Sequence, residues 1–179
     1  MAARLGEIFA PEKINILRAA ALLHDITKEC SLQEQIDLAN KYGIVLTDMD
    51  ICASKTLHAM TAAACIDDRY PEFALPEVKS CVRWHTTGHA NMTLTEKLIY
   101  LADYIDMSRK FDDCVMLREY FFCDGLMEMT REEQLSHLDD TILLSYDITL
   151  AALIEKKTPI SPDTISARNE IAVKKCLKK

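Results

Sequence analysis

The 179-residue sequence predicts an all-α fold, a helical bundle, on three observations: glycine and proline are scarce at 4 and 5 residues, helix-start signals recur, and apolar residues repeat at helical spacing. A sheet protein turns often and draws on Gly and Pro to do so, so this composition leaves little room for hairpins. Three capping boxes, each a hydroxyl residue followed three positions later by Glu, fall at Ser31 and Glu34, Thr93 and Glu96, and Thr130 and Glu133. With 49% hydrophobic residues the chain can bury a substantial core, and its length favours one domain over residues 1–179, the last part being a C-terminal helical extension.

The opening stretch from Met1 to Phe9 reads as the second half of a helix. From Pro11 to Lys28, Ile14, Leu17 and Ala21 form an apolar stripe of period near 3.6 that ends in two polar residues, His24 and Asp25. A helix from Leu32 to Tyr42 stops at Gly43, which suits a C-terminal cap. The next, around Ser54 to Asp68, carries His58. Pro76 opens another at its first position, running to Trp84 and His85 before the break at Thr86-Thr87-Gly88. A helix from Leu94 to about Met107 carries Asp103, and helices follow at Asp112 to Phe122 and from Arg131 to about Lys156. The last begins at Ser161-Pro162, where Ser caps and Pro occupies the first turn. Its Lys-rich end, Lys174 to Lys179, suits a helix C-terminus by complementing the dipole.

A formal net charge of −7 argues against a broad surface for nucleic-acid phosphates, which depends on clustered Lys and Arg. The longest apolar runs, such as Ala19 to Leu23, are far too short for a bilayer, and the start lacks the layout of a signal peptide. The expected partners therefore include neither nucleic acid nor membrane, and the expected location is cytoplasmic. Seven cysteines, scattered without a Cys-x-x-Cys pair, read as reduced thiols and not as a disulfide framework.

His24-Asp25 closes the run Ala-Ala-Ala-Leu-Leu, so an imidazole and a carboxylate emerge from an apolar helix. Burying both is costly unless something pairs them. A metal ion does so, and mixed imidazole and carboxylate ligands suit iron, manganese or zinc more than calcium. His58, His85 and Asp103 also lie at helix ends or on apolar helix faces, so a bundle can converge all four segments on one centre. Taken singly, each has a plainer reading: His58 a hydrogen-bonded core histidine, Lys28 a solvated helix-end charge, Thr86-Thr87 an ordinary cap. His89 and His137 match no ligand position and read as surface residues, while Trp84 reads as core.

The order His-Asp, His, His, Asp resembles that of the HD superfamily. Leu22 to Glu29, His85-Thr86-Thr87-Gly88 with Asn91-Met92 following, Glu96-Lys97, Leu101 to Ile105, and the closing Thr164-Ile165-x-Ala167-Arg168-Asn169 are together similar to the YqeK family. The likeness spans about Leu5 to Asn169 and implies a single HD-domain helical bundle. It also implies symmetrical hydrolysis of diadenosine tetraphosphate to two ADP by an enzyme that holds iron, with manganese or another divalent transition metal as the alternative. The resemblance puts the metal on His24, Asp25 and Asp103, and has His58 and His85 face the phosphates or hold a second metal. Asp25, Lys28, His58 and His85 would carry catalysis. Thr86, Thr87, Gly88, Asn91 and Arg109 would join those four in binding the nucleotide.

Members of that family carry one more histidine on an earlier helix, and its position would fall upstream of Met1. The expectation is a chain that starts late, or a homologue that binds nucleotide without turning it over. The rival readings are another HD phosphohydrolase acting on a monophosphate, a deoxynucleoside triphosphate or a cyclic nucleotide, a regulatory nucleotide-binding protein, and a purely structural helical protein. A stripe of Leu143, Leu150, Leu153 and Ile154 serves equally for core or for a homodimer.

Overall fold

Residues 1–177 are described by a computed structural model, so Lys178 and Lys179 of the Lys-rich end lie outside the described residues. The described residues hold ten α-helices and no strand. They are α1 (Ala2–Phe9), α2 (Ile14–Leu23), α3 (Leu32–Lys41), α4 (Asp48–Cys52), α5 (Leu57–Arg69), α6 (Pro76–Trp84), α7 (Leu94–Tyr104), α8 (Asp112–Phe121), α9 (Arg131–Glu155) and α10 (Pro162–Leu177).

The three expected capping boxes form, each with the hydroxyl accepting from the third backbone N–H and the Glu reaching back to the cap. A fourth, Thr47 with Asp50, starts α4, which was not expected: Asp at the third position does the work of Glu. Pro11 sits in a single 3₁₀ turn, and α2 stops at Leu23, five residues short of the expected Lys28. Beyond it the chain tightens into turns, with Lys28 N–H bonded to Asp25 O at 2.9 Å and Cys30 N–H to Thr27 O at 3.2 Å. Similarly α7 ends at Tyr104, before Met107. There Asp106 accepts from Ser108 N–H at 2.9 Å and from its hydroxyl at 2.8 Å, a local turn that competes with helix.

The bundle centres on α2, which lies against α1, α5, α6 and α7, while α3 covers α5, and α8 and α10 flank α9. Leu5, Leu17, Leu57, Ile66, Leu98, Leu101, Ile105, Leu117, Phe121, Leu138, Ile142 and Tyr146 are fully buried. Each such side chain contributes about 1.5–3 kcal/mol by leaving water. The long α9 turns Leu138, Ile142 and Tyr146 inward, whereas Leu143 is half-buried and Ile154 is 65% exposed. All seven cysteines are free thiols, three of them buried, and no helix among the described residues is long and apolar enough to cross a membrane.

This packing fixes where the polar ends point. His24 and His85 are the C-terminal caps of α2 and α6, Asp103 lies in the last turn of α7, and His58 lies in the first turn of α5. Helix C-termini carry partial negative charge, so three of the four contributing ends favour a cation.

Candidate metal centre

Each of the three histidines spends one ring nitrogen on the backbone. Nδ1 of His24 lies 2.7 Å from Ala21 O, that of His58 2.9 Å from Lys55 O, and that of His85 2.7 Å from Val82 O. A carbonyl only accepts, so Nδ1 carries the proton, and in the neutral ring Nε2 is left as a bare lone pair. The three Nε2 atoms and two carboxylates then converge.

Asp25 sits at the fork. Its Oδ2 lies 3.3 Å from His24 Nε2 and 2.7 Å from Lys28 Nζ, and its Oδ1 lies 3.2 Å from His58 Nε2 and 3.6 Å from His85 Nε2. Asp103 Oδ1 stands 3.6 Å from His24 Nε2, and its other oxygen takes the Arg109 guanidinium at 2.5 Å. Two donor sets result, His24 with His85 and Asp103, and Asp25 with His58 and His85. Two atoms that share an ion at about 2.1 Å each stand no more than about 4.2 Å apart, a limit that all of these nitrogen–oxygen distances satisfy.

The electrostatics agree with that fit. Asp25 Oδ1 is buried without a hydrogen bond, even though His58 Nε2 is 3.2 Å away, because the His58 proton lies on the opposite nitrogen. A buried carboxylate oxygen facing bare lone pairs calls for a cation. Burial alone would raise both carboxyls, but His24, His58, His85 and Lys28 around Asp25, and His24 and Arg109 around Asp103, hold them well below the usual carboxylate range. Burial disfavours charge on His24, yet Asp103 and Asp25 outweigh it and push the imidazole up to about 10. Burial dominates at the more enclosed His85 and lowers it. The cluster is thus a place where positive charge gathers between fixed negative groups.

Of the sequence candidates, the structure brings together His24, Asp25, Lys28, His58, His85, Thr86, Asp103 and Arg109. The Thr86 hydroxyl lies 3.0 Å from His85 Nε2 and 3.4 Å from His58 Nε2. The rest of the turn faces elsewhere: the buried Thr87 hydroxyl donates to Gly88 O at 3.0 Å, Gly88 is covered by Tyr146, and Asn91 N–H donates to Glu170. His89 and His137 are half-buried against aromatic rings and not free on the surface, since the His89 ring lies tilted 4.5 Å from Trp84 and His137 stacks 5.7 Å from Phe121. Trp84 itself is half-buried.

Two groups that support the site escaped the sequence reading. Thr27 donates to His58 O at 3.0 Å and lies 2.8 Å from the Thr61 hydroxyl, which in turn donates to Gln35 Oε1 at 2.5 Å. These bonds tie the corner that carries His24 and Asp25 to the start of α5. Arg118 donates to Ile105 O and Arg109 O, both at 2.8 Å, and to Asp106 O, which stiffens the segment that presents Arg109. A Thr two residues after Asp25 was the available signal for the first; an Arg on α8 gave none.

The family model of the HD domain matches residues 1–108. A curated relative from Halalkalibacterium halodurans is 30% identical over 154 residues, covering 85% of this chain and 73% of its own. One from Staphylococcus aureus is 30% identical over 149 residues, with 83% and 75% covered. One from Bacillus subtilis is 29% identical over 152 residues, with 84% and 73% covered. All three are named bis(5'-nucleosyl)-tetraphosphatase, symmetrical. A solved structure from Clostridium acetobutylicum, described as a predicted HD superfamily hydrolase involved in NAD metabolism, superimposes with a TM-score of 0.80 at 30% identity. That match covers 97% of this chain and 84% of the other.

Proposed function

The chain belongs to the HD-domain family, and from that premise we propose that it is a metal-dependent phosphohydrolase that cuts diadenosine tetraphosphate symmetrically into two ADP. The observation that carries the reading is the convergence of the Nε2 atoms of three histidines and two carboxylates around a buried Asp25 Oδ1 that has no hydrogen bond. The names of the three relatives support a dinucleoside tetraphosphate as substrate and symmetrical cleavage.

His24, Asp25 and Asp103 are assigned to the first ion, Asp25 by its oxygen 3.3 Å from His24 Nε2, although the compact donor set around His24 and Asp103 has His85 as its third member. Asp25, His58 and His85 form the donor set for a second ion. Iron is the proposed metal, with manganese the next in line, since the mixed imidazole and carboxylate set suits such ions. A metal bound there would supply a water of lowered pKa and a Lewis acid for a phosphoryl oxygen. The rest falls to the chain. Asp25 Oδ1, with no donor of its own, accepts a hydrogen bond from the attacking water and aims it. Lys28 Nζ, 2.7 Å from Asp25, offsets charge that builds on the phosphate, and the Thr86 hydroxyl offers it a donor. Arg109 holds Asp103 by one oxygen, so that the other stays turned to His24. Its remaining N–H groups are the proposed phosphate contact. A cytoplasmic location belongs to the same proposal and is supported by seven free thiols.

The test is to purify the protein without chelator, measure its metal content, and chromatograph the products of diadenosine tetraphosphate on the same sample. ADP alone is expected. AMP and ATP in equal amounts would rule out symmetrical cleavage.

A further inference from the structure

Helices α5 and α6 present His58 and His85 to the metal cluster. Each residue turns a helix by about 100°, so Met60 and Arg83, two positions from those histidines, point to the opposite side. There a cavity of about 540 Å³ lies between α5, α6 and the loop after α3, with Ile44, Val45, Met60, Arg83 and Trp84 among its walls. The Arg83 guanidinium sits over the Trp84 ring, 4.0 Å from its centroid. Although half-buried, it makes no hydrogen bond or ion pair among the described residues. Its neighbours are already committed: Lys79 holds both oxygens of Asp67, at 2.7 and 2.9 Å, and the Asp50 carboxylate closes the Thr47 cap. Burial lowers the Arg83 pKa from the ordinary 12.5, and Asp163 and Asp50, which act on it only at longer range, do not make up the loss.

We propose that this cavity binds a small organic acid of single negative charge and flat apolar body, its carboxylate on the Arg83 guanidinium and its body against Ile44, Val45 and Met60. A guanidinium laid on an aromatic face keeps its edge N–H groups free, and those match a carboxylate two by two. A covered cation without a partner is costly, and a bound acid removes that cost. One unanswered cation matches one charge, while Asp50 and Asp163, which border a smaller cavity of about 230 Å³ on another side of Arg83, repel a polyanion. Apolar walls with a few polar groups, in a volume of this size, are the usual make-up of a small-ligand site. The ligand would sit behind the two helices that carry His58 and His85 and would displace neither.

Trp84 is the one tryptophan of the chain, so its fluorescence reports on the neighbourhood of Arg83. Benzoate, neutral benzamide and acetate are titrated into the full chain with its metal in place. Benzoate is expected to give a saturable change and to bind about tenfold more tightly than benzamide, which lacks the charge, and than acetate, which lacks the body. Arg83→Gln should bring benzoate down to the benzamide level, and Arg83→Lys, which keeps the charge without the fork, should fall between. Metal content, far-UV spectrum and hydrolysis should match the parent in both variants. No saturable response in the parent, or equal benzoate affinity in parent and Arg83→Gln, overturns the site. A benzoate response that survives Arg83→Gln but vanishes when the metal is stripped places the acid at the cluster and overturns it as well.

Discussion

The Nε2 atoms of His58 and His85 lie 3.0 Å apart, although both rings have committed their protons to backbone carbonyls on the far side. Two lone pairs at that distance repel unless something positive or a shared donor lies between them. The Thr86 hydroxyl, 3.0 Å from one and 3.4 Å from the other, has only one proton to give.

Metal should therefore stabilise the fold as well as serve catalysis, since it binds the folded cluster and not the dispersed ligands. At a hundredfold excess over its dissociation constant the gain is about 2.7 kcal/mol, which for a chain of this size is about 5–10 °C of Tm. Thermal unfolding with chelator and with restored divalent metal is the measurement. Coincident curves would mean that the cluster holds no ion.

Asp103→Ala is expected to lower metal affinity by at least about tenfold and hydrolysis by about a hundredfold, with the helical far-UV signal retained. The side chain lies in the last turn of α7 and faces His24 and Arg109, so its loss removes a proposed ligand without opening a core cavity. Arg109, half-buried, would lose its partner and incur a modest stability cost. Metal analysis and steady-state rates decide it, and parent-like values in both would remove Asp103 from the site.

How much of this was legible in the sequence depends on the range over which each signal acts. Capping at Ser31, Thr93 and Thr130 is decided within four residues, and all three boxes form. Thr47 with Asp50 obeys the same physics, but the shorter Asp at the third position is a fainter signal than Glu. The order of His24-Asp25, His58, His85 and Asp103 showed that separate helices supply the centre. It did not show that Asp25 lies off the helix in a tight corner with its two oxygens serving different histidines. That follows from Thr27 bonding across to His58 and Thr61, a tertiary contact with no local signature. Arg83 and Arg118 were illegible for the same reason, since each matters through what the fold sets beside it.

Gly88→Ala should be among the more damaging single changes outside the ligands. Gly88 has φ +61°, and a Cβ there would stand 1.9 Å from Tyr146 Oη and 3.1 Å from its Cζ. Tyr146 is fully buried and cannot step aside, so the His85-Thr86-Thr87-Gly88 turn must shift. A loss of about 2–3 kcal/mol is expected from overpacking together with the left-handed backbone. Urea unfolding reads the stability, and Gly88→Ala combined with Tyr146→Phe should recover part of it by removing the nearest atom. Equal stability of Gly88→Ala and parent would show that the packing around Tyr146 is loose.

Glu96 ties stability to pH through a site remote from the ligands. It is 4% exposed and accepts from the Ser80 hydroxyl, from Thr93 N–H at 2.6 Å and from the Thr93 hydroxyl at 2.9 Å, with His89 Nε2 at 3.3 Å. Burial by itself would raise its carboxyl, but those donors outweigh burial and hold it below the ordinary 4.5. A carboxyl lowered in the folded state binds fewer protons there than in the unfolded chain at mildly acid pH. Its contribution is therefore complete above about pH 5 and declines as the pH falls through 4.5 toward the lower folded value. Glu96→Gln removes that charge and sets an NH₂ among groups that all donate, at a cost of about 1–3 kcal/mol near neutrality. Unfolding free energies for parent and variant should then diverge at pH 7 and approach each other toward pH 3. A gap that stays constant across that range would mean that Glu96 acts through packing and not through its charge.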